Sequence, residues 1–410
     1  MMLPKLRLLP PTATGDAALV LSARGLRAFS DGFVSLLLPV YLLRLGFDSL
    51  AVGAIVTATL LGSAAATLGL GFIAHRFDRR RVLLFAAVLM ALTGAGFASL
   101  DDFWPLLIVA AVGTLNPSSG DVSLFVPLEQ TILSHAVGDR DRTALFARYS
   151  FIAALAGATG ALSAGLPDLV VPAKGPDQDL VFKGMFVLYA LFGVTTWLIY
   201  RRLPAQPRTA TSQASVPLTQ SRGIVLKLAA LFSLDAFGGG LFVQSLLALW
   251  LFQRFDLDLA TAAIIFFWAN LASAVSFLLA VRIAGRFGLL KTMVFTHLPA
   301  NICIILLPFA PSVSLAVLLI LIRGLLSQMD VPTRTSYVMA IVTPPERPAA
   351  ASLTAVPRSL ASAGAPLLAG YLLTLSSFGW PLIVGGVLKI VYDLTLYAMF
   401  HKIKPPEEAN

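Results

Sequence analysis

Ala74-His-Arg-Phe-Asp78 and Ala284-Gly-Arg-Phe-Gly288 lie 210 residues apart, and so do Arg44-Leu-Gly-Phe-Asp48 and Arg254-Phe-Asp-Leu-Asp258. This double recurrence marks the chain as an internal duplication. Further along, Val126-Pro127 recurs as Val331-Pro332 and Arg142 as Arg347, now at an offset of 205. The first half therefore carries the longer stretch between these blocks, and its place is Asn116-Pro-Ser-Ser-Gly-Asp121.

What is duplicated crosses a membrane. Of the 410 residues 57% are hydrophobic and only 12% charged, with a mean hydropathy of +0.84, whereas about a quarter of a soluble chain is charged. A soluble enzyme is excluded. Stretches such as 82–100 and 184–200 are apolar on every face, which excludes the alternating pattern of a transmembrane barrel and predicts helices. At about 20 apolar residues per crossing, spans are expected at 17–43, 50–74, 81–100, 104–136, 144–166, 184–200, 224–252, 260–281, 289–309, 313–341, 348–375 and 379–400. The expected fold is an all-α membrane protein of twelve helices in two pseudo-symmetric bundles of six. Residues 1–202 form the first bundle, 203–222 a Pro-, Ser- and Thr-rich cytoplasmic linker, and 223–410 the second. With an even number of spans each, the halves share one orientation.

The net charge of +9 is topological rather than a sign of nucleic acid. Arg76, Arg79, Arg80, Arg81, Arg140, Arg142, Arg201, Arg202, Arg208, Arg222, Lys227, Arg282, Arg286, Lys291 and Arg347 all fall in the even connections, while acids dominate the odd ones. Basic loops stay on the cytoplasmic side, so both termini are expected there, in a bacterial inner membrane. The lone Cys303 offers neither a disulfide nor a thiolate metal site.

The loop from Gly71 to Val82, with His75, Arg76, Asp78, Arg79 and Arg80, resembles the signature loop of the major facilitator superfamily, and 284–291 echoes it in the second half. The resemblance covers nearly the whole chain. It departs from the family pattern where His75 replaces an acid and Asp78 a glycine, so the acid that latches neighbouring helix ends would have to be Asp78. Gly157-Ala-Thr-Gly160 and Gly364–Gly370 are similar to the antiporter motif of drug-exporting members, although small residues also serve close helix packing. The resemblance implies secondary transport, with spans 1, 4, 7 and 10 lining a central cavity.

Those spans also hold most of the embedded charge, which costs roughly 2.5–3.5 kcal/mol per group even on lenient scales. Arg24, Arg27 and Asp31 share one face of span 1, and their spacing suits an Arg27–Asp31 pair. Span 4 offers Asn116, Asp121 and Glu129, and span 10 offers Arg323, Gln328, Asp330, Arg334 and Tyr337. Asp31, Asp121, Glu129, Asp235 and Asp330 are the candidate proton carriers. Arg24, Arg27, Asn116, Gln244, Trp268, Asn270, Arg323, Gln328, Tyr337 and Arg358 are the candidates for substrate contact. At the 205 offset Glu129 matches Arg334, which suggests a pair across the halves that closes the cytoplasmic gate in the outward-open state; the alternative partner for Glu129 is Arg148 in its own half. Pro127 and Pro332 are expected to kink spans 4 and 10. Lys389 and Asp393 are expected to neutralise each other, and His297 with Asn301 to be helix-packing residues rather than metal ligands, since no acid or second histidine joins them.

No phosphate-binding loop, paired-histidine motif or nucleophile elbow is present, so no catalytic residue, cofactor or metal is expected. The reading is a monomeric carrier moving a small organic solute by alternating access, as proton-coupled efflux. Its alternatives are uptake or exchange of anionic metabolites, and an uncoupled facilitator or membrane receptor. The expected partners are the lipid bilayer, a small-molecule substrate and protons.

Overall fold

The computed structural model describes residues 14–73, 78–118, 123–137, 139–171, 177–204 and 218–403. Its regular elements are helices. In the first half these are α1 (Gly15–Arg44), α2 (Ser49–Ile73), α3 (Arg79–Ser99), α4 (Phe103–Val112), α5 (Phe125–His135), α6 (Asp139–Ser163), α7 (Leu166–Val170) and α8 (Gln178–Tyr200). The second half holds α9 (Arg222–Gly240), α10 (Gln244–Phe255), α11 (Leu259–Phe287), α12 (Leu289–Leu306), α13 (Val313–Ser327), α14 (Asp330–Ile341), α15 (Arg347–Leu375) and α16 (Trp380–Phe400). Among the described residues ten stretches are long and apolar enough to cross a membrane. The two other expected spans are the fourth, which is divided, and the eleventh, α15, whose Ala, Ser, Pro and Arg content lowers its hydropathy.

Spans 4, 7 and 10 are each two helices end to end, not one. In span 4, α4 stops at Gly113, and the Asn116 side chain accepts hydrogen bonds from both the N–H and the hydroxyl of Ser118. A short polar side chain that bonds its own backbone in this way competes with the helix. Span 7 breaks after Gly238-Gly-Gly240, and span 10 at Gln328-Met329. Pro127 and Pro332 are thus not interior kinks: each is the third residue of a resuming helix, α5 and α14. There the missing N–H has no helical acceptor to forfeit.

One apolar core runs across both halves at the end carrying the acidic connections. It joins Leu37, Tyr41, Val52 and Phe186 to Leu246, Trp250, Phe266 and Leu382. At the basic end the core is divided. Val20, Leu83, Leu133 and Tyr200 form one cluster within the first half, and Val225, Met293, Tyr337 and Leu396 another within the second.

Hydrogen bonds between the halves gather at the acidic end. Gln244 Nε2 donates to Ser35 Oγ at 2.8 Å, Gln253 Nε2 to Ser49 Oγ at 2.7 Å and the Ala260 N–H to Asp168 at 3.0 Å. Helices in lipid associate through close packing rather than hydrophobic exclusion. Accordingly α2 meets α15 through paired glycines: a Cβ on Gly370 would come within 2.4 Å of the Ser49 carbonyl oxygen, and one on Gly53 within 2.5 Å of that of Pro366.

Candidate functional site

Within the first half a carboxylate is enclosed by donors from three other helices. Glu129 on α5 is fully buried and pairs with Arg27 of α1. Tyr149 of α6 donates to its Oε2 at 2.7 Å and Tyr200 of α8 to its Oε1 at 2.6 Å. Arg27 also lies over the Phe125 ring, 4.1 Å from its centroid, and Arg24 over Tyr149 at 5.0 Å. One expected pairing is corrected here: Arg27 turns to Glu129 rather than to Asp31 on its own helix. In this conformation Glu129 is held within its own half by Arg27, Tyr149 and Tyr200 rather than by Arg148, and the expected gate pair with Arg334 belongs to the outward-open state. The physical reason is reach: α5 packs against α1 and α6 inside its own half, so Glu129 finds its cation and its tyrosines there. Arg148, half-buried on α6, has a buried Nη1 without a hydrogen-bond partner among the described residues.

Asp31 instead bonds Asn116 at the break of span 4, with Arg27 and Arg24 as its charged neighbours. Asp121 lies outside the described residues.

The second half builds a larger cluster. Asp235 of α9 takes Lys389 of α16 on Oδ1 and Arg334 of α14 on Oδ2, the latter at 3.3 Å. Arg334 also pairs with Asp330, one turn earlier, at 3.1 Å, and Arg358 of α15 adds its charge beside Asp235, Asp330 and Arg334. His297 of α12 places Nδ1 2.9 Å from Asp393 and Nε2 4.0 Å from Asp235, and Asn301 Nδ2 donates to Asp393 at 2.9 Å. Lys389, expected to neutralise Asp393, makes its close ion pair with Asp235 instead and remains only a charged neighbour of Asp393. The reading of His297 and Asn301 as residues without an acid fails. With its carboxylates ionised and His297 neutral, the cluster balances three acids against three cations.

Sequence reading passed over Tyr149, Tyr200, His297, Asn301 and Lys389 as site residues. For the last three the signal was present as spacings of four on spans 9 and 12; for the tyrosines only their end-on burial reveals them.

The other candidates scatter. Gln244 is committed to Ser35 across the halves. Tyr337 donates to the Ile403 carbonyl at 3.1 Å, a packing bond near the chain's end. Arg323 lies over the Phe242 ring at 5.1 Å, Gln328 ends α13 and Asn270 is half-buried on α11. Trp268 is 53% exposed and lines an apolar groove of about 400 Å³ with Leu271, Val275, Leu321 and Leu325, a surface suited to lipid rather than a polar solute. In the signature loop His75 and Arg76 lie outside the described residues, and Gly71 falls in the last turn of α2. Asp78 caps its own helix, accepting the Arg80 N–H at 3.1 Å. The link to a neighbouring helix end comes instead from Arg80, whose guanidinium donates to the Arg201 carbonyl beyond α8 at 2.7 Å. Of the antiporter-like glycines, Gly160 packs against the Phe29 backbone of α1 and Gly370 forms the seal with α2.

Outside the spans, Glu346 accepts the backbone N–H groups of Thr219, Gln220 and Ser221 at the start of α9. These bonds, that of Thr219 foremost, hold its carboxyl well below the usual carboxylate range.

The chain matches the Major Facilitator Superfamily model over residues 20–322 and again over 228–410. It is 24% identical to an uncharacterized membrane protein of Saccharomyces cerevisiae, YJR124C, over 95% of this chain and 94% of that one. Among solved structures it is similar to a mutant of the nucleoside transporter NupG, with 15% identity, a TM-score of 0.77 and coverage of 94% of this chain and 100% of that one. It is also similar to the Escherichia coli xylose transporter XylE in a partially occluded inward open conformation (14% identity, TM-score 0.72, 97% and 100% coverage). A bacterial homolog of the human lysosomal transporter Spinster, inward-facing and occupied, matches with 14% identity and a TM-score of 0.72 over 94% and 95% of the chains.

Proposed function

Because this chain belongs to the major facilitator superfamily, we propose that it is a proton-coupled carrier exporting a small polar organic solute, with no catalytic activity of its own. The observation that carries the reading is the divided core: one apolar cluster joins the halves at the acidic end, and two separate clusters replace it at the basic end. Rocking of one half against the other around a midplane site would exchange these arrangements. The bundles are assigned to 1–202 and 223–410, and the basic loops put both termini on the cytoplasmic side. In that orientation the present conformation is closed outward. Export is the direction on the resemblance of the glycine runs to those of exporters.

Asp31 carries the coupling in this reading. Glu129 is held by an arginine and two tyrosines, whereas Asp31 bonds a neutral amide at the break of span 4, where movement of Arg27 or Arg24 would change its charge environment. Because structurally similar proteins transport nucleosides and xylose, the probes are uridine, D-xylose, ethidium and succinate. In proteoliposomes an imposed pH gradient is expected to drive at least one probe, and Asp31→Asn to abolish the effect of the gradient while leaving exchange at equal pH intact. Full gradient-driven transport by Asp31→Asn removes that residue from the mechanism.

A second reading, exchange of organic anions, is favoured by Arg148 with its unpaired Nη1. Succinate counterflow without a gradient, lost in Arg148→Gln, would replace the first reading. Response to no probe under any gradient favours an uncoupled facilitator or receptor.

A further inference from the structure

His297 stands between two carboxylates from different helices. Asn301 and His297 both contact Asp393, so with Asp393 ionised a neutral His297 keeps its proton on Nδ1 and leaves Nε2 bare. That bare nitrogen lies 4.0 Å from Asp235 Oδ1, the oxygen that also takes Lys389. Adding a proton there places a third positive charge beside the carboxylate, a charge-assisted partner once the ring closes the gap.

We infer that His297 is a proton-binding site of the second half, taking its proton on Nε2, and that its charge decides which cation Asp235 holds. The proton comes from hydronium: one O–H bond breaks as the Nε2–H bond forms, and neutral water is released. The imidazolium then donates to Asp393 and Asp235 together. Asp235 already serves Lys389 and Arg334, and a third cation loosens its hold on both. Each displaced cation has an acid in reach: Arg334 keeps Asp330 at 3.1 Å, and Lys389 lies four residues before Asp393 on α16. Two pairings of the same residues therefore exist, and the proton on α12 selects between them.

The other elements packed on α12 do not compete for the ring. From α16, besides Lys389 and Asp393, comes Tyr392, edge-on to the imidazole at 6.2 Å. From α14 come Asp330, Arg334 and Tyr337. The arginine of α13, Arg323, lies toward Cys303, more than a turn away, and Arg282 and Arg286 of α11 are exposed. The consequence runs across the bundle. Spans 9 and 12 bind the proton, and through Asp235 the change reaches α9 and α14, parts of the divided spans 7 and 10.

The inference rests on the transport reading only for its purpose, the gating of the second half, so the tests can separate the two. The first uses the unaltered protein in nanodiscs with 15N-labelled histidine. As pH is lowered over an interval of roughly 8 to 5, the His297 signal, assigned with His297→Gln, is expected to pass from neutral to imidazolium. The second places spin labels at Arg201→Cys and Arg282→Cys, with Cys303→Ala, on the exposed basic ends of the two halves. The label distance is expected to shift over the same interval, and His297→Gln to lose at least four-fifths of that shift. A His297 ring whose 15N signals stay constant across the interval overturns the inference, as does a distance shift that survives His297→Gln. If His297 titrates and moves the labels while no pH gradient drives any probe, the transport reading falls and the proton site stands. Gradient-driven transport with a silent His297 gives the reverse.

Discussion

Both halves place an ion pair between their first span and the second helix of their fourth, but with opposite polarity. In the first half the cation is on α1, Arg27, and the acid on α5, Glu129; in the second the acid is on α9, Asp235, and the cation on α14, Arg334. Glu129 and Arg334 match at the 205 offset, while Asp235 lies two residues before the position that matches Arg27 at the 210 offset of that region, so the duplicated scaffold has kept the pair of helices and exchanged the signs. The surroundings differ more. Glu129 is completed by two phenol hydroxyls, whereas Asp235 is shared by a lysine and an arginine with a histidine nearby. A pair saturated by groups that keep their protonation across physiological pH is a strut. A shared carboxylate beside an imidazole has alternatives, and alternatives are what a switch requires.

The largest expected effect breaks the strut. Glu129→Ala removes the acid that pairs with buried Arg27 and leaves two buried phenol hydroxyls without their acceptor, which costs roughly 3–5 kcal/mol. Asp235→Ala is expected to cost less, about 1–3 kcal/mol, since Arg334 retains Asp330 and Lys389 has Asp393 in reach. Denaturation midpoints of the two variants in one detergent decide the matter, and equal losses would show that the second network has no spare pairing. Next come the hydroxyls. Tyr149→Phe and Tyr200→Phe each remove a bond to a charged acceptor, about 1.5–3 kcal/mol. Tyr337→Phe removes one to the neutral Ile403 carbonyl, about 0.5–1.5 kcal/mol.

Much of this architecture is legible in the chain, and the remainder fails for identifiable reasons. Apolar runs and two constant offsets place the spans because both are properties of consecutive residues. The breaks in spans 4, 7 and 10 escape a hydropathy reading, since Gly238-Gly-Gly240 and Asn116-Pro117 interrupt the backbone without interrupting the apolar composition. Partner choice is the deeper failure. Spacing shows that Arg27 and Asp31 share a face, but the guanidinium reaches past its own helix to Glu129, 102 residues away. The acid that serves His297 lies 96 residues off in span 12, beyond any local pattern. Counting charges also hides Tyr149 and Tyr200, which enter the site as neutral donors.

Smaller effects test what joins the halves against what holds each together. Gly160→Ala would bring a Cβ within 2.0 Å of the Phe29 carbonyl oxygen inside the first half, and Gly370→Ala one within 2.4 Å of that of Ser49 across the seal. Overpacking of this kind costs about 1–3 kcal/mol, but it falls on different equilibria. Gly160→Ala is expected to lower the unfolding midpoint. Gly370→Ala is expected to leave that midpoint nearly unchanged and to depopulate the sealed conformation, read as greater labelling of Ser49→Cys by a membrane-impermeant thiol reagent. Unchanged labelling would mean that the seal does not open in the conformational cycle.

The smallest expected effect is local and concerns the entrance to the second half. Ser221 stands at the N-cap of α9 but makes no side-chain cap bond; Glu346, from the turn before α15, supplies the acceptor instead. A carboxylate there also meets the positive end of the α9 dipole. Because its folded-state pKa is depressed, the stabilisation is fully present above the ordinary carboxylate value and is lost only as pH falls through the lower, folded one. Glu346→Gln keeps the shape and removes the charge. Hydrogen exchange at Gln220 and Ser221, corrected for intrinsic rates, should therefore be several-fold faster in Glu346→Gln than in wild type at pH 7. The difference should persist at pH 4, where an ordinary carboxyl is already close to half protonated. If it vanishes by pH 4, the backbone N–H groups do not hold Glu346 ionised, and the start of α9 depends on packing rather than on a charged cap.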